Sequence, residues 1–148
     1  MDMTANYEGL ATELLQVNEE LLRMPDQQMM TRLSQGESFV LNYLLTHRQQ
    51  AHPVELSRGL MVSTARIAAL LNRMEDKHLI CRGPDPLNNR QVIVTLCPQG
   101  LEVIQRLRTN AIRSAARMLA DLGPEDAREL VRIQKKLLSN LTTASPTV

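Results

Sequence analysis

Arg66 and Arg73 stand seven positions apart, a spacing that puts them two turns apart on one side of an α-helix. Around them lie Ser63, Thr64, Ala65, Ala68, Ala69 and Asn72, small or polar residues that keep the same face low. Such a face suits a DNA major groove. Guanidinium forks match guanine edges and phosphates, while a low floor lets the backbone approach and lets Ala methyl groups meet thymine methyls. Arg82 and Arg90 add two cations downstream. An ordinary solvated helix can show the same residues, so the neighbouring elements must decide.

Other chemistries lack their residues. The chain has no Gly-rich phosphate loop, no HExxH and no GxSxG, and the acid pairs Glu19-Glu20, Glu75-Asp76 and Glu125-Asp126 sit in helical contexts where cap and solvent roles suffice. No enzyme is expected. His47, His52 and His78 are spread over three elements, and neither Cys81 nor Cys97 has CxxC or Cys/His spacing, so no metal and no cofactor are expected. The two cysteines fall near the open end of a hairpin, one in each strand, in a register that sequence does not fix; the plainer reading is two small apolar residues beside the core. With Phe39, Tyr7 and Tyr43 as the whole aromatic set, the stacking surface of a single-strand binder is missing.

At 148 residues, 43% apolar and 22% charged with net charge +1, the chain has the composition of one folded domain. It holds no apolar run of membrane-spanning length, and Asp2 and Glu8 stand where a secretion signal would carry basic and then apolar residues. The expectation is a cytoplasmic protein without membrane association. Charge is uneven: residues 1–56 hold three Arg against eight acids, 57–90 six bases against three acids, and 91–148 eight against five. An anionic partner would be sought in the middle segment.

Helical periodicity dominates. Leu10, Leu14, Val17, Leu21 and Met24 form a stripe ended by Pro25; Ser34 with Glu37 has capping-box spacing before Val40, Leu41, Leu44 and Leu45; Pro53 opens a short helix to about Leu60. Ser63 caps the next, whose buried stripe is Ile67, Leu70, Leu71 and Met74. After Lys77 the period drops to two. Leu79–Arg82 and Gln91–Leu96 read as strands joined by a polar tip over Gly83–Asn89. Pro98 opens a long helix, Gly123-Pro124 separates it from a last one, and Thr142–Val148 reads as a frayed tail.

Helix, helix, short helix, exposed helix, hairpin is the order of a winged helix-turn-helix, in which the exposed helix enters a major groove and the hairpin tip reaches nearby backbone or minor groove. Across nearly its whole length the chain resembles the MarR family of bacterial transcriptional regulators. The resemblance is carried by Leu33-Ser34-Gln35-Gly36-Glu37-Ser38-Phe39-Val40-Leu41, Glu55-Leu56-Ser57, Val62-Ser63-Thr64-Ala65-Arg66-Ile67 and Arg73 through Ile80. It continues in Asp85-Pro86-Leu87-Asn88-Asn89-Arg90, Val94-Thr95-Leu96-Cys97, Gly100 and Leu122-Gly123-Pro124-Glu125-Asp126. Order and spacing together are specific where no single piece is. The resemblance implies a mainly α fold with a small β-hairpin wing, and contacts to double-stranded DNA from Ser63, Thr64, Ala65, Arg66, Ala68, Ala69, Arg73, Arg82, Asn88, Asn89 and Arg90.

Departures matter here. The family's wing motif is Asp-x-Arg, whereas this chain has Asn88-Asn89-Arg90, so the carboxylate that orients the wing Arg is a neutral amide. His78 stands where Gly usually ends the recognition helix, a junction that favours positive φ. Some relatives of the family sense oxidants through Cys, which makes a redox-sensing role the alternative reading of Cys81 and Cys97, but the family's sensing Cys lies near the N-terminus and this chain has none there.

The apolar stripes of the first and last two helices exceed what one winged domain can cover. The resemblance implies that they interlock into a homodimer, as a pseudo-palindromic operator with half-sites about 34 Å apart requires. Residues 1–33 and 98–148 are thus expected to form the dimerisation region around a DNA-binding domain at 34–97. Met24, Met30, Phe39 and Tyr43 are the candidates for a pocket taking a small aromatic or lipophilic effector. The function expected is a DNA-binding repressor released by such an effector. The rival keeps the fold as a protein-interaction or ligand-binding module without operator binding, favoured by low basicity and Asn88.

Overall fold

Tyr7–Leu21 forms helix α1, capped where the Asn6 side chain accepts the Gly9 N–H at 2.9 Å. The computed structural model describes residues 6–144. Helix α1 stops three residues before Met24, whose extended backbone (ψ 137°) suits a residue preceding proline. Pro25 does not only end a helix: it opens an unanticipated one, α2 (Pro25–Thr31), continued by a 3-10 turn over Arg32–Ser34. The capping box expected at Ser34 and Glu37 does not form. Gln35 takes the N-cap of α3 (Gly36–Thr46), the Ser34 hydroxyl turns back to the Thr31 carbonyl, and Glu37 pairs with Lys77 Nζ at 2.8 Å.

The remaining order is β1 (Gln50–Ala51), α4 (Pro53–Leu60), α5 (Thr64–Asp76), β2 (Ile80–Asp85), β3 (Asn88–Leu96), α6 (Pro98–Leu122) and α7 (Pro124–Ala144). The sheet is antiparallel in the order β1-β3-β2, with Gln50 opposite Thr95 and Cys81 opposite Thr95 from the other side. The hairpin tip is shorter than the Gly83–Asn89 stretch suggests: the strands run through Asp85 and from Asn88, leaving Pro86 and Leu87 at the turn. Likewise α7 reaches Ala144, so residues 142–144 are helical rather than frayed, and 145–148 lie outside the described residues.

One core serves the winged part. Val40, Leu41 and Leu44 of α3, Leu56 of α4, Ile67, Leu71 and Met74 of α5, Ile80 and Val94 of the sheet and Ile104 of α6 are each at most 2% exposed. Such side chains contribute about 1.5–3 kcal/mol apiece. Two polar links fix the outer helices to it, Arg117 Nη2 on α6 to Asp26 Oδ1 on α2 at 2.6 Å and Arg108 Nη1 on α6 to Asn42 Oδ1 on α3 at 2.8 Å.

At the hairpin base Cys81 and Cys97 are joined as a disulfide, their Cα atoms 6.0 Å apart. This corrects the reading of two free, core-lining thiols. Antiparallel pairing puts Cys81 opposite Thr95, two residues from Cys97, and the Cys97 N–H donates to the Leu79 carbonyl at 3.1 Å, so the two residues meet across the open end. Cys81 is exposed and Cys97 half-buried, so neither is a core residue.

Candidate nucleic-acid interface

The outer face of α5 follows from its inner one. The Ser63 hydroxyl accepts the Arg66 N–H at 3.1 Å, starting the helix in a fixed phase, and Ile67, Leu70, Leu71 and Met74 are buried. Thr64, Ala65, Arg66, Ala68, Ala69, Asn72 and Arg73 are therefore all exposed. The guanidinium groups of Arg66 and Arg73 have no protein partner among the described residues. Two unpaired cations on an otherwise low face are available to an anionic groove.

Two left-handed residues shape the ends of the helix-turn-helix. Met61 (φ 54°) closes α4, with its own N–H donating to the Arg58 carbonyl and that of Val62 to Ser57. His78 (φ 60°) closes α5 in the same way, its N–H on the Glu75 carbonyl at 2.9 Å and that of Leu79 on Met74 at 3.0 Å. The positive φ that the family resemblance leads one to expect at this junction, where Gly is usual, is thus kept by a histidine.

Arg82 departs from its expected role. Its Nε donates to Glu75 Oε2 at 3.0 Å and its Nη2 to Asn72 Oδ1 at 2.6 Å, both on α5. Rather than standing free for phosphate, it straps β2 to α5. The hydrogen bond from Arg82 holds the Glu75 carboxyl below its usual range.

The wing tip is braced by two side chains that cap backbone amides. Asp85 Oδ1 accepts the Leu87 N–H at 2.9 Å, and Asn88 Oδ1 accepts the Arg90 N–H at 3.2 Å. Asn88 thus organises the Arg90 backbone, while the Arg90 guanidinium is exposed and has no partner among the described residues, and Asn89 is exposed beside it. Leu87 at the turn is 96% exposed.

Asp85 is buried, and it is met across 33 positions by His52 Nε2 at 2.7 Å, while His52 Nδ1 faces Glu55 Oε1 at 3.0 Å. Tyr43 donates to Glu55 Oε2 at 3.2 Å and stacks on His47 with ring centroids 3.8 Å apart. A ring flanked by carboxylates on both nitrogens is satisfied as an imidazolium. The bond to Asp85, then that to Glu55, raises His52 above its ordinary 6.5; the same His52 bond, with the Leu87 amide, lowers Asp85 below 3.8. For Glu55 burial acts upward, but its bonds from His52 and Tyr43 outweigh it and the carboxyl is lowered.

The pH dependence follows from the signs. The raised His52 contributes stability below 6.5 that is lost as pH rises through its folded value, and the lowered Asp85 contributes stability above 3.8 that is lost as pH falls through its own. The clamp between α4 and the wing is therefore complete in mildly acid solution and weakens toward alkaline pH. Urea midpoints of the unaltered chain and His52→Gln should lie furthest apart near pH 5.5 and converge by pH 9; a constant gap would show that the His52 charge plays no part.

The effector candidates are not brought together. Met24 lines an open apolar groove of ≈ 820 Å³ with Leu21, Met118, Leu122, Leu130 and Ile133, rimmed by Asp121 and Asp126. Phe39 and Tyr43 lie instead on α3 against the winged core, Phe39 beside Gly59, and neither they nor Met30 line that groove. The signals that sequence reasoning missed, the His52–Asp85 clamp and the Arg82 strap, join residues far apart in sequence or on different elements.

No protein-family model matches the chain. A curated relative, the uncharacterised HTH-type transcriptional regulator YdgJ of Bacillus subtilis, is 27% identical over 111 residues, 75% of this chain and 67% of its own. Among solved structures, AbsC, a MarR family transcriptional regulator of Streptomyces coelicolor, superposes with a TM-score of 0.66 at 23% identity, covering 97% of this chain and 99% of its own. MepR, a transcription regulator of the multidrug efflux pump MepA in Staphylococcus aureus, gives 0.66 at 18% identity over 88% of this chain and 97% of its own. The superpositions cover nearly the whole of these chains: the protein has the winged-helix fold of the MarR-family transcriptional regulators.

Proposed function

We propose that this chain is a sequence-specific, double-stranded DNA-binding transcriptional regulator that acts as a homodimer. The observation that carries the reading is the outer face of α5, where Arg66 and Arg73 stand exposed and, among the described residues, unpaired over Ala65, Ala68 and Ala69, with the braced wing holding Arg90 alongside. Ser63, Thr64 and Ala65 begin the helix that enters the major groove; Asn88, Asn89 and Arg90 reach the flanking backbone or minor groove. Arg82 serves by positioning, through Glu75 and Asn72, rather than by touching phosphate.

Dimerisation is supported by the apolar faces left open in one copy. No residue of α1 or α7 is buried, and Leu10, Leu14, Leu15, Leu137 and Leu138 are each more than half exposed. Residues 1–33 and 98–148 supply that interface. Release by a small lipophilic effector is part of the same reading, and the groove at Met24 is its place within one protomer. Transcriptional relatives favour a regulator working inside the cell, and no described helix is long and apolar enough to cross a membrane.

The test is retention of random genomic duplex fragments at several salt concentrations, followed by sequencing. The expected outcome is a shared pseudo-palindrome with half-sites one helical turn apart, bound about a thousandfold or more tighter than random duplex and weakening steeply with salt. If no duplex is retained above background at low salt, the interaction-module reading replaces this one.

A further inference from the structure

The disulfide sits at a joint. Leu79–Arg82 is the segment that leads from the recognition helix into the wing: His78 ends α5 at positive φ, and Arg82 reaches back to Glu75 and Asn72. The same segment is held against the start of α6. The Cys97 N–H donates to the Leu79 carbonyl at 3.1 Å, and Gly100 packs so closely on that carbonyl that an added Cβ would collide with it. Neither contact involves sulfur, so both persist when the cysteines are reduced and keep the two thiols adjacent, within the Cα spacing of 6.0 Å that a disulfide requires.

We propose that Cys81 and Cys97 form a reversible dithiol–disulfide site that exchanges with small-molecule disulfides and thereby sets how firmly the wing is fixed beside the recognition helix. The exchange itself stands independently of the proposed function; its effect on DNA rests on that reading.

Exposure sets the order of events. Cys81 is exposed and Cys97 half-buried, so the Cys81 thiolate is the first nucleophile. It attacks one sulfur of a disulfide RSSR, forming a Cys81–S–S–R bond and expelling RS⁻, which takes up a proton. The Cys97 thiolate then attacks the Cys81 sulfur, the bond to the small thiol breaks, and a second RSH leaves. The cysteine pair has given two electrons to RSSR, which has become two RSH; excess RSH or a dithiol runs the sequence backward.

The oxidised joint links β2 covalently to the N-cap residue of the 25-residue helix α6. The backbone contacts give the joint the same geometry in both states, so oxidation does not re-aim the wing; the added covalent link narrows the residual motion about that geometry, which DNA binding would otherwise have to freeze out. Oxidation is therefore expected to tighten duplex binding.

The experiment uses the full chain in buffers of set reduced-to-oxidised glutathione ratio, read by thiol alkylation and intact mass. The unaltered chain should convert between a two-thiol form and an internal disulfide without accumulating a glutathione adduct. Cys97→Ser should trap one glutathione on Cys81, and Cys81→Ser should acquire one at least about tenfold more slowly. Two alkylatable thiols at every ratio would overturn the site, and equal trapping rates would overturn the order of attack. On duplexes retained in the test above, the oxidised chain should bind about 3- to 10-fold tighter than the reduced one, with no redox difference in Cys81→Ser. Equal affinity in both states would overturn the coupling to the wing. Should no duplex bind in either state, the DNA reading fails, while the mass readout still decides the thiol chemistry.

Discussion

The Leu137→Asp/Leu138→Asp variant is expected to sediment as a monomer where the unaltered chain sediments as a dimer at micromolar concentration. Leu137 is 54% and Leu138 63% exposed in the single copy, on a helix with no buried residue. Opposite them in kind stands α1, where Leu14 and Leu15 are 60% and 62% exposed and again nothing is buried. A leucine taken fully from water contributes about 1.5–3 kcal/mol, and a two-fold interface repeats each loss. Half of that burial, over four leucines, still amounts to about 3–6 kcal/mol, or roughly a 10²- to 10⁴-fold weaker dimer. Introduced carboxylates add their desolvation cost. The winged core draws nothing from α7, so helix content by circular dichroism should hold and separate loss of assembly from loss of fold. Identical sedimentation of the two proteins would mean that these faces do not meet a partner copy.

Helix α5 was legible because every signal in it is local. Ser63 lies three residues before the amide it caps, and Ile67, Leu70, Leu71 and Met74 repeat within one helix, so spacing alone fixes which face is buried. Helix α2 was not legible: seven residues, PDQQMMT, are too few for a period, and Pro25 after a long stripe reads as a stop as readily as a start. At Ser34 a correct local pattern lost to tertiary contact, because Lys77, forty positions away, takes the Glu37 carboxylate that a capping box would use. Strand β1, two residues long, exists only through its pairing with Thr95 and Val94. The Cys81–Cys97 bond depends on a hairpin register that alternation leaves open to slips of two residues, and the His52–Asp85 clamp on the packing of α4 against the wing, which no local pattern encodes.

The same distinction between local and long-range placement decides how the arginines divide. Arg66→Ala should change which half-site sequence is retained and weaken operator binding, because its unpaired guanidinium is one turn from the helix start, where recognition helices contact base edges. A base-edge contact is worth about 1–3 kcal/mol, and a dimer loses it in both half-sites, so the expected cost is about 2–6 kcal/mol. Arg90→Ala should instead weaken all duplexes and flatten the salt dependence by about two units, one per wing, since its side chain is exposed on a tip whose backbone Asn88 already holds. Arg82→Ala gives the internal contrast. Its cation is occupied by Glu75 and Asn72, so removing it deletes a strap and frees an acid beside the interface, and affinity should fall with little change in retained sequence. If Arg66→Ala and Arg90→Ala lower affinity alike for every duplex, Arg66 touches phosphate only, and the reading of bases must pass to Thr64, Ala65 and Ala68 on the same exposed face.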